Sequence, residues 1–420
     1  MRYRPVNLGR WVLWGGTAVL LAVLPLVFTA SATITLLSQM CTFIIFALAY
    51  NMLLGQGGML SFGHAVYSGL GSYFAVHALN LIAKGSLALP VTLLPLVGGV
   101  AGVLFGVLFG YVTTRRAGTT FAMISLGIGE MVFACSLMFP GFFGGEGGIT
   151  TNRVVGRPFL GVTYGPGVQV YYLIAIWLML CMAAMFAWTQ TPLGRMANAV
   201  RDNPERAEFI GYDPNMVRFL TLVISSFFAG VSGGLATINF EIVTAENVSA
   251  LRSGGVLFAT FIGGVGFFVG PIVGGIIFIY CVVSLSLFTK AWLLYLGLFF
   301  VGMVLYAPGG IASLVAMHVP VLRARLMHLL WRPYAAAAAA GLVLLAGIVT
   351  AVEVTYHYSL EGNINPQTSL AGIAFSVTDA APWLAALALL AAGGASFAWA
   401  WRGVRRAWDA IMLQLQERAG

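Results

Sequence analysis

Residues 191–218 read TPLGRMANAVRDNPERAEFIGYDPNMVR. The stretch carries Arg195, Arg201, Asp202, Glu205, Arg206, Glu208, Asp213 and Arg218 in a chain that is only 8% charged. Apolar runs flank it on both sides, each near the ~20 residues a helix needs to cross a hydrocarbon core of about 30 Å. A charged segment between two such runs has to lie in water, where another protein can grip it. That reading decides the fold class: all-α, a polytopic bundle of transmembrane helices.

The rest of the 420-residue chain agrees. It is 60% hydrophobic with mean hydropathy +0.93, beyond the roughly even apolar share of soluble domains. The pattern predicts spans at 11–30, 33–54, 63–83, 88–113, 119–139, 169–190, 218–240, 253–266, 267–289, 291–307, 335–356 and 382–401. Segments 55–75 and 253–275 are Gly-rich and interrupted, which predicts broken or re-entrant helices. Non-helical backbone at membrane depth survives only where protein buries it or water lines it, so these breaks point to a pathway. In span 88–113, Gly98, Gly102, Gly106 and Gly110 form a stripe on one face, suited to close helix packing.

Charge gives an orientation. With a cytoplasmic N-terminus, all the Lys and Arg residues fall inside except Lys84, Arg153, Arg157, Arg252 and Lys290, out of 21. That bias places both termini and the 191–218 loop in the cytoplasm, and it accounts for the net charge of +8 without nucleic acid. The N-terminus imitates a secretory signal ending at Ala30-Ser31-Ala32, but the apolar run from Trp11 to Phe28 exceeds the usual ~7–15 residues and reads as a retained helix. Cys41, Cys135, Cys181 and Cys281 are far apart inside spans, a pattern of small core residues rather than of disulfides or zinc.

Within the loop, Thr191-Pro192, Asn203-Pro204 and Asp213-Pro214 are three cap-and-proline pairs. Each offers a side-chain acceptor to the orphan amides while Pro takes the first helical position. They predict a short helix at 192–201 and another at 204–210, ended by Gly211 in a left-handed cap. So short a helix is marginal alone and gains from docking, for which Ala207, Phe209 and Ile210 supply an apolar surface. An ordinary basic loop obeying the inside rule is the alternative.

These residues resemble the cytoplasmic signature of bacterial ABC-importer permeases of the branched-chain amino acid (LivM-like) type. The match runs through Gly194-Arg195, Ala199, Arg201-Asp202-Asn203, Ala207 and Gly211. An N-terminal signature matches at Asn51, Leu53, Gly55, Gly58, Ser61, Gly63, His64 and Ala65, a turn at Gly263-Gly264-Val265-Gly266 before Gly270-Pro271, and a final motif at Pro308-Gly309-Gly310. The resemblance covers roughly residues 35–315. It implies a permease domain over 1–317, paired with a second homologous permease, two cytoplasmic ATP-binding subunits and a periplasmic substrate-binding protein in the inner membrane. It also implies that residues 204–211 are the coupling helix, with Gly194, Arg195, Arg201, Asp202, Asn203, Glu205, Ala207 and Gly211 forming the ATPase-coupling site. Residues 318–420, with two predicted spans and a basic tail, are an extension that such permeases typically lack.

Several polar residues are candidates for the translocation path. Glu130 lies within a span, where an acid costs about 2.5–3.5 kcal/mol and so faces protein or water; a structural hydrogen bond to a neighbouring helix is the other reading. His64 follows the glycine-rich break and either holds it together or faces substrate. Asn51, Gln56 and Ser61 can supply hydrogen bonds to exposed backbone there. The Gly144–Gly148 run in external segment 140–168 reads as a flexible loop able to meet a binding protein.

No cofactor or metal is expected, and no motif for ATP hydrolysis is present: neither Lys84 nor Lys290 sits in a G-x-x-x-x-G-K-[ST] loop. HExxH and GxSxG signatures are absent too, so the chain reads as no enzyme. The expected function is the passive pore subunit of an ATP-driven importer for branched-chain amino acids, with urea and short amides as alternative cargo. An ion-coupled secondary transporter is the rival class. It would need several intramembrane acids or histidines, and Glu130, His64 and His77 are the main ones on offer.

Overall fold

The computed structural model describes residues 8–156, 161–361, 367–370 and 373–417. Arg2, Arg4, Arg157 and Arg418 of the charge argument lie outside them. The chain runs through α1 (Leu8–Val27), α2 (Ser31–Asn51), α3 (Ala65–Ala83), α4 (Leu94–Thr113), α5 (Gly118–Met138) and the short α6 (Pro140–Phe143) to α7 (Gly167–Gln190). The charged loop folds into α8 (Pro192–Asp202) and α9 (Pro204–Phe209), and α10 (Pro214–Phe240) leads back. There follow α11 (Ala250–Gly263), α12 (Gly270–Phe288), α13 (Trp292–Tyr306), α14 (Gly310–Arg323), α15 (His328–Glu361) and α16 (Ala380–Glu417).

The all-α expectation holds, and helices occupy all twelve expected span positions. Eight of the described helices are long and apolar enough to cross a bilayer, or up to nine if the bent pair α13 and α14 is one span. The number of full-length spans is therefore smaller than the sequence pattern suggested, because some helices are short and α3, with Ser68, Ser72, His77 and Asn80, is long enough but less apolar. The described apolar part of α1 begins at Trp14, and α11 has 14 residues. Both expected breaks are present. After α2 the helix widens into a π-turn at Met52–Gln56, and residues 57–64 are not helical before α3. Residues 264–269 separate α11 from α12.

The chain divides into two compact units, residues 1–284 with 299–313, and residues 285–298 with 314–420. In the first, α10 is the central helix, and the glycine stripe explains its closest contact. A Cβ at Gly98 or Gly102 would run into the carbonyl oxygens of Gly230 or Ser226, and one at Gly106 would stand 2.8 Å from Ser226 Cβ. Small residues on both helices thus let the backbones touch, which replaces the hydrophobic effect as a packing force in lipid. Ser72 Oγ donates to Gly233 O at 2.9 Å and Ser232 Oγ to Thr42 O at 2.9 Å, tying α3 and α2 to the same helix.

The Gly144–Gly148 run is folded rather than open. Gly144, Gly145 and Gly148 take positive φ, and the chain enters a two-residue strand, β1 (Ile149–Thr150), paired antiparallel with β2 (Ile242–Val243). Arg153 N donates to Glu241 Oε1 at 2.8 Å, with the guanidinium 3.7 Å from Oε2, which fastens the same clasp.

In the second unit, α15 and α16 form an antiparallel pair, with Gly347 against Leu389–Leu390 and Gly393 against Val343–Leu344. A hairpin of β3 (Gln367–Leu370) and β4 (Ile373–Ser376) lies between them in sequence.

Candidate functional site

The three cap-and-proline pairs fold the charged loop as expected. Thr191 Oγ1 accepts from Gly194 N at 3.2 Å, Asn203 Oδ1 from Arg206 N at 3.0 Å, and Asp213 Oδ1 from Asn215 N at 2.8 Å. Each cap satisfies one orphan amide and contributes about 1 kcal/mol. Gly211, at φ +90°, closes α9: its amide reaches Glu208 O and that of Tyr212 reaches Ala207 O, the paired bonds of a Schellman turn. Ala207 is the one α9 residue turned inward, whereas Arg195, Glu205, Arg206 and Glu208 are exposed. Phe209 is 89% and Ile210 66% exposed, an apolar pair displayed on a polar loop.

Helix α8 is bolted to the first break. The Arg201 guanidinium donates from one Nη to the carbonyl oxygen of Gly55, and from Nε at 2.9 Å to Asp202 Oδ1. Its stem lies over Gly58, where a Cβ would come within 2.5 Å of Arg201 Cγ. Asn198 Nδ2 donates to Gln56 Oε1 at 2.9 Å. The ion pair with Asp202 is at the surface and adds little by itself; its effect is to hold the guanidinium in line with Gly55.

The other two motifs lock into the same place. A Cβ on Gly55 would stand 2.6 Å from Val265 O, and one on Gly264, itself at φ +113°, 2.5 Å from Gly309 O. The four stretches singled out in the sequence therefore form one contact chain: the loop on the α2 break, that break on the α11–α12 turn, and that turn on Gly309–Gly310.

Other residues than expected satisfy the break's own backbone. Tyr50 OH donates to Ser61 O at 2.9 Å, Phe62 N donates to Ser125 Oγ at 3.1 Å, and Ala65 N donates to Ser253 Oγ at 3.0 Å. His64 is fully buried, its ring stacked on Phe46 and edge-on to Tyr50 and Tyr67. Its Nε2 lies 3.3 Å from Ser225 Oγ. Ser225 spends its own hydrogen on Ala49 O at 2.6 Å, so the histidine is the donor. Through it α2, α3 and α10 meet. Asn51 Oδ1 is buried beside Gly55 with no partner among the described residues.

Glu130 stands apart from this assembly. Gly129 backs onto Gly63, with a Cβ there 3.4 Å from Gly63 Cα, but the Glu130 side chain is exposed. Sequence reasoning missed Tyr50, Ser125, Asn198, Ser225 and Ser253, for single hydroxyls and amides in apolar helices carry no spacing signal.

A polytopic helical bundle with interrupted helices at its centre and a capped polar loop fastened to one interruption has the build of a membrane transport subunit. The match to the family described as "Branched-chain amino acid transport system / permease component" extends over residues 32–309, more than half of the chain. The chain belongs to that family. It is similar to the high-affinity branched-chain amino acid transport system permease protein LivM of Salmonella typhimurium, 27% identical over 290 residues, which are 64% of this chain and 67% of that one. LivM of Escherichia coli is 27% identical over 301 residues, 67% of this chain and 68% of that one. The permease protein BraD of Pseudomonas aeruginosa is 25% identical over 246 residues, 56% of this chain and 79% of that one. No solved structure matches.

Proposed function

We propose that this chain is the passive pore subunit of an ATP-driven importer for branched-chain amino acids or related small solutes, moved by separate cytoplasmic ATPases that grip α9. It would pair with a second homologous permease, receive cargo from a periplasmic binding protein, and sit in the bacterial inner membrane with both termini cytoplasmic. Residues 1–317 would be the permease domain and 318–420 an accessory extension.

The observation that carries this reading is mechanical. Helix α9 displays Phe209 and Ile210 to solvent, while the adjoining α8 is bonded through Arg201 and Asn198 to the broken end of α2. A partner seated on the first can thus pull on the second. The names of the relatives, all branched-chain amino acid permeases, support the cargo class.

Affinity purification from the native membrane, with the intact chain and with residues 204–210 deleted, tests it. The intact chain should bring down a Walker-motif ATPase and a second permease, and the deletion should lose the ATPase and uptake while still inserting. Uptake that survives the deletion overturns the coupling assignment.

A further inference from the structure

The extension beyond the family region has an end of its own chemistry. In the second unit, Ala337 and Ala340 of α15 pack on Ala400 and Val404 of α16, and Tyr334 and Leu330 lie level with Trp408 and Ile411. His318 Nε2 is 2.7 Å from Tyr334 OH, to which Trp408 Nε1 donates at 2.8 Å. This network gathers the ends of α14, α15 and α16 into one place.

Six arginines surround that place: Arg323 and Arg325 at the α14–α15 junction, Arg332 on α15, and Arg402, Arg405 and Arg406 on α16. All six are exposed, and among the described residues none is ion-paired with a carboxylate, although Asp409 and Glu417 share α16. Arg325 is held at φ +58°, a left-handed position that glycine fills more cheaply. The opposite end of the helix pair carries Glu353 and Asp379 instead.

The height of the collar matters as much as its charge. Residues 335–356 and 382–401 are the apolar parts of α15 and α16, and the arginines begin where those parts stop. Trp331, 76% exposed, stands beside Arg332 just outside the apolar part of α15, and Trp399, 73% exposed, on the last turn of the apolar part of α16. Aromatic side chains collect at the headgroup level of a bilayer, and clustered arginines just beyond a span attract anionic lipid.

We propose that this collar holds the headgroups of anionic phospholipids and so anchors the extension to an acidic membrane leaflet. Guanidinium groups pair with phosphate bidentately, and three arginines on one turn and a half of α16 give a repeat that lipid headgroups can fill side by side.

The test uses the full chain, purified with whatever accompanies it and reconstituted in nanodiscs of equal phosphatidylglycerol and phosphatidylcholine, with the lipid left after detergent exchange quantified. Wild type should retain phosphatidylglycerol over phosphatidylcholine by at least about tenfold at low salt. The triple variant R402Q/R405Q/R406Q should lose most of that preference, and R402K/R405K/R406K should keep it. Equal retention of the two lipids by wild type, or unchanged preference in the glutamine variant, overturns the proposal. So does an acidic soluble protein that departs with the glutamine variant while the lipid ratio stays fixed.

Discussion

Arg201 caps the carbonyl oxygen of Gly55, 146 residues earlier in the chain. Gly55 sits in the widened turn where α2 loses its regular ladder, and carbonyls at such an end need an outside donor. The donor comes from the charged loop between α7 and α10. A helix break inside the bundle is thereby completed by a residue outside it, and any displacement of α8 is felt at the break.

Replacing Arg201 with Gln should separate transmission from docking. A hydrogen bond from a charged donor contributes about 1.5–3 kcal/mol, so its loss should shift the docked state of α8 by roughly ten- to a hundredfold. Uptake should fall by a similar order while the ATPase still co-purifies, because α9 keeps its own caps. Arg201→Lys should rescue only in part, since an ammonium cannot serve Gly55 and Asp202 with the same planar fork. Transport assays beside co-purification check this, and loss of the ATPase in Arg201→Gln would make the residue part of the docking surface instead.

Phe209→Ala should do the reverse. A large apolar side chain that is 89% exposed on a polar loop contributes little to this chain's own stability, and central aromatic anchors commonly carry 2 kcal/mol or more of an interface. The thermal midpoint of the purified chain should not change, while recovery of the ATPase should drop by about thirtyfold. Pull-down yield against a thermal melt separates the two effects, and an unchanged yield rules out Phe209 as an anchor.

The bundle, its broken helices and the loop's three caps were legible in the sequence because each has a local chemical signature: apolar length, glycine clustering, and a capping side chain ahead of proline. The contact between those parts was not. Nothing in the spacing of Gly55, Gln56 and Gly58 says that Asn198 will bond Gln56 or that Arg201 will reach Gly55 and Gly58, because the pairing depends on how the helices pack. His64 illustrates the same limit. Its Phe46–Tyr50–Tyr67 surround is assembled from two helices, and Ser225 from a third gives it a polar partner. The collar of arginines was visible only as a charge excess until Tyr334 and Trp408 placed its parts at one level.

Two glycines of the site differ in a way that alanine will expose. Gly211 takes φ +90° with open space around it, whereas Gly58 takes φ +66° with the Arg201 stem against it. Gly211→Ala should cost only the left-handed backbone penalty, about 1 kcal/mol, and lower the thermal midpoint slightly. Gly58→Ala carries that penalty and also forces Arg201 away, so uptake should fall as it does in Arg201→Gln. If Gly58→Ala transports normally, the contact between the stem and the break is dispensable.

Gly102→Leu should prevent the first unit from folding. Its Cβ already meets Ser226 O, and the Gly230 Cα is 3.2 Å away, so a large side chain can be admitted only by parting α4 from α10. Gly127→Leu on α5 has nothing within 4 Å and should fold normally. Detergent-solubilised yield and protease resistance distinguish them, and a well-folded Gly102→Leu would mean that α4 and α10 are not in contact in the membrane.

Glu130 presents its side chain outward from α5 beside exposed Met123, Leu126 and Met131. An acid against lipid at that depth costs about 2.5–3.5 kcal/mol, and among the described residues no hydrogen-bond or ion-pair partner offsets it. Water, or a partner chain such as the second permease proposed above, would relieve that cost. With Cys135 and Cys281 replaced by Ser and the buried Cys41 and Cys181 left in place, Glu130→Cys should either react with a water-soluble thiol reagent or cross-link to the co-purifying permease. Glu130→Gln should lower uptake without raising stability. Should neutralisation instead raise the thermal midpoint and leave uptake intact, with the cysteine unreactive, the acid faces lipid and α5 is an outer wall of the bundle.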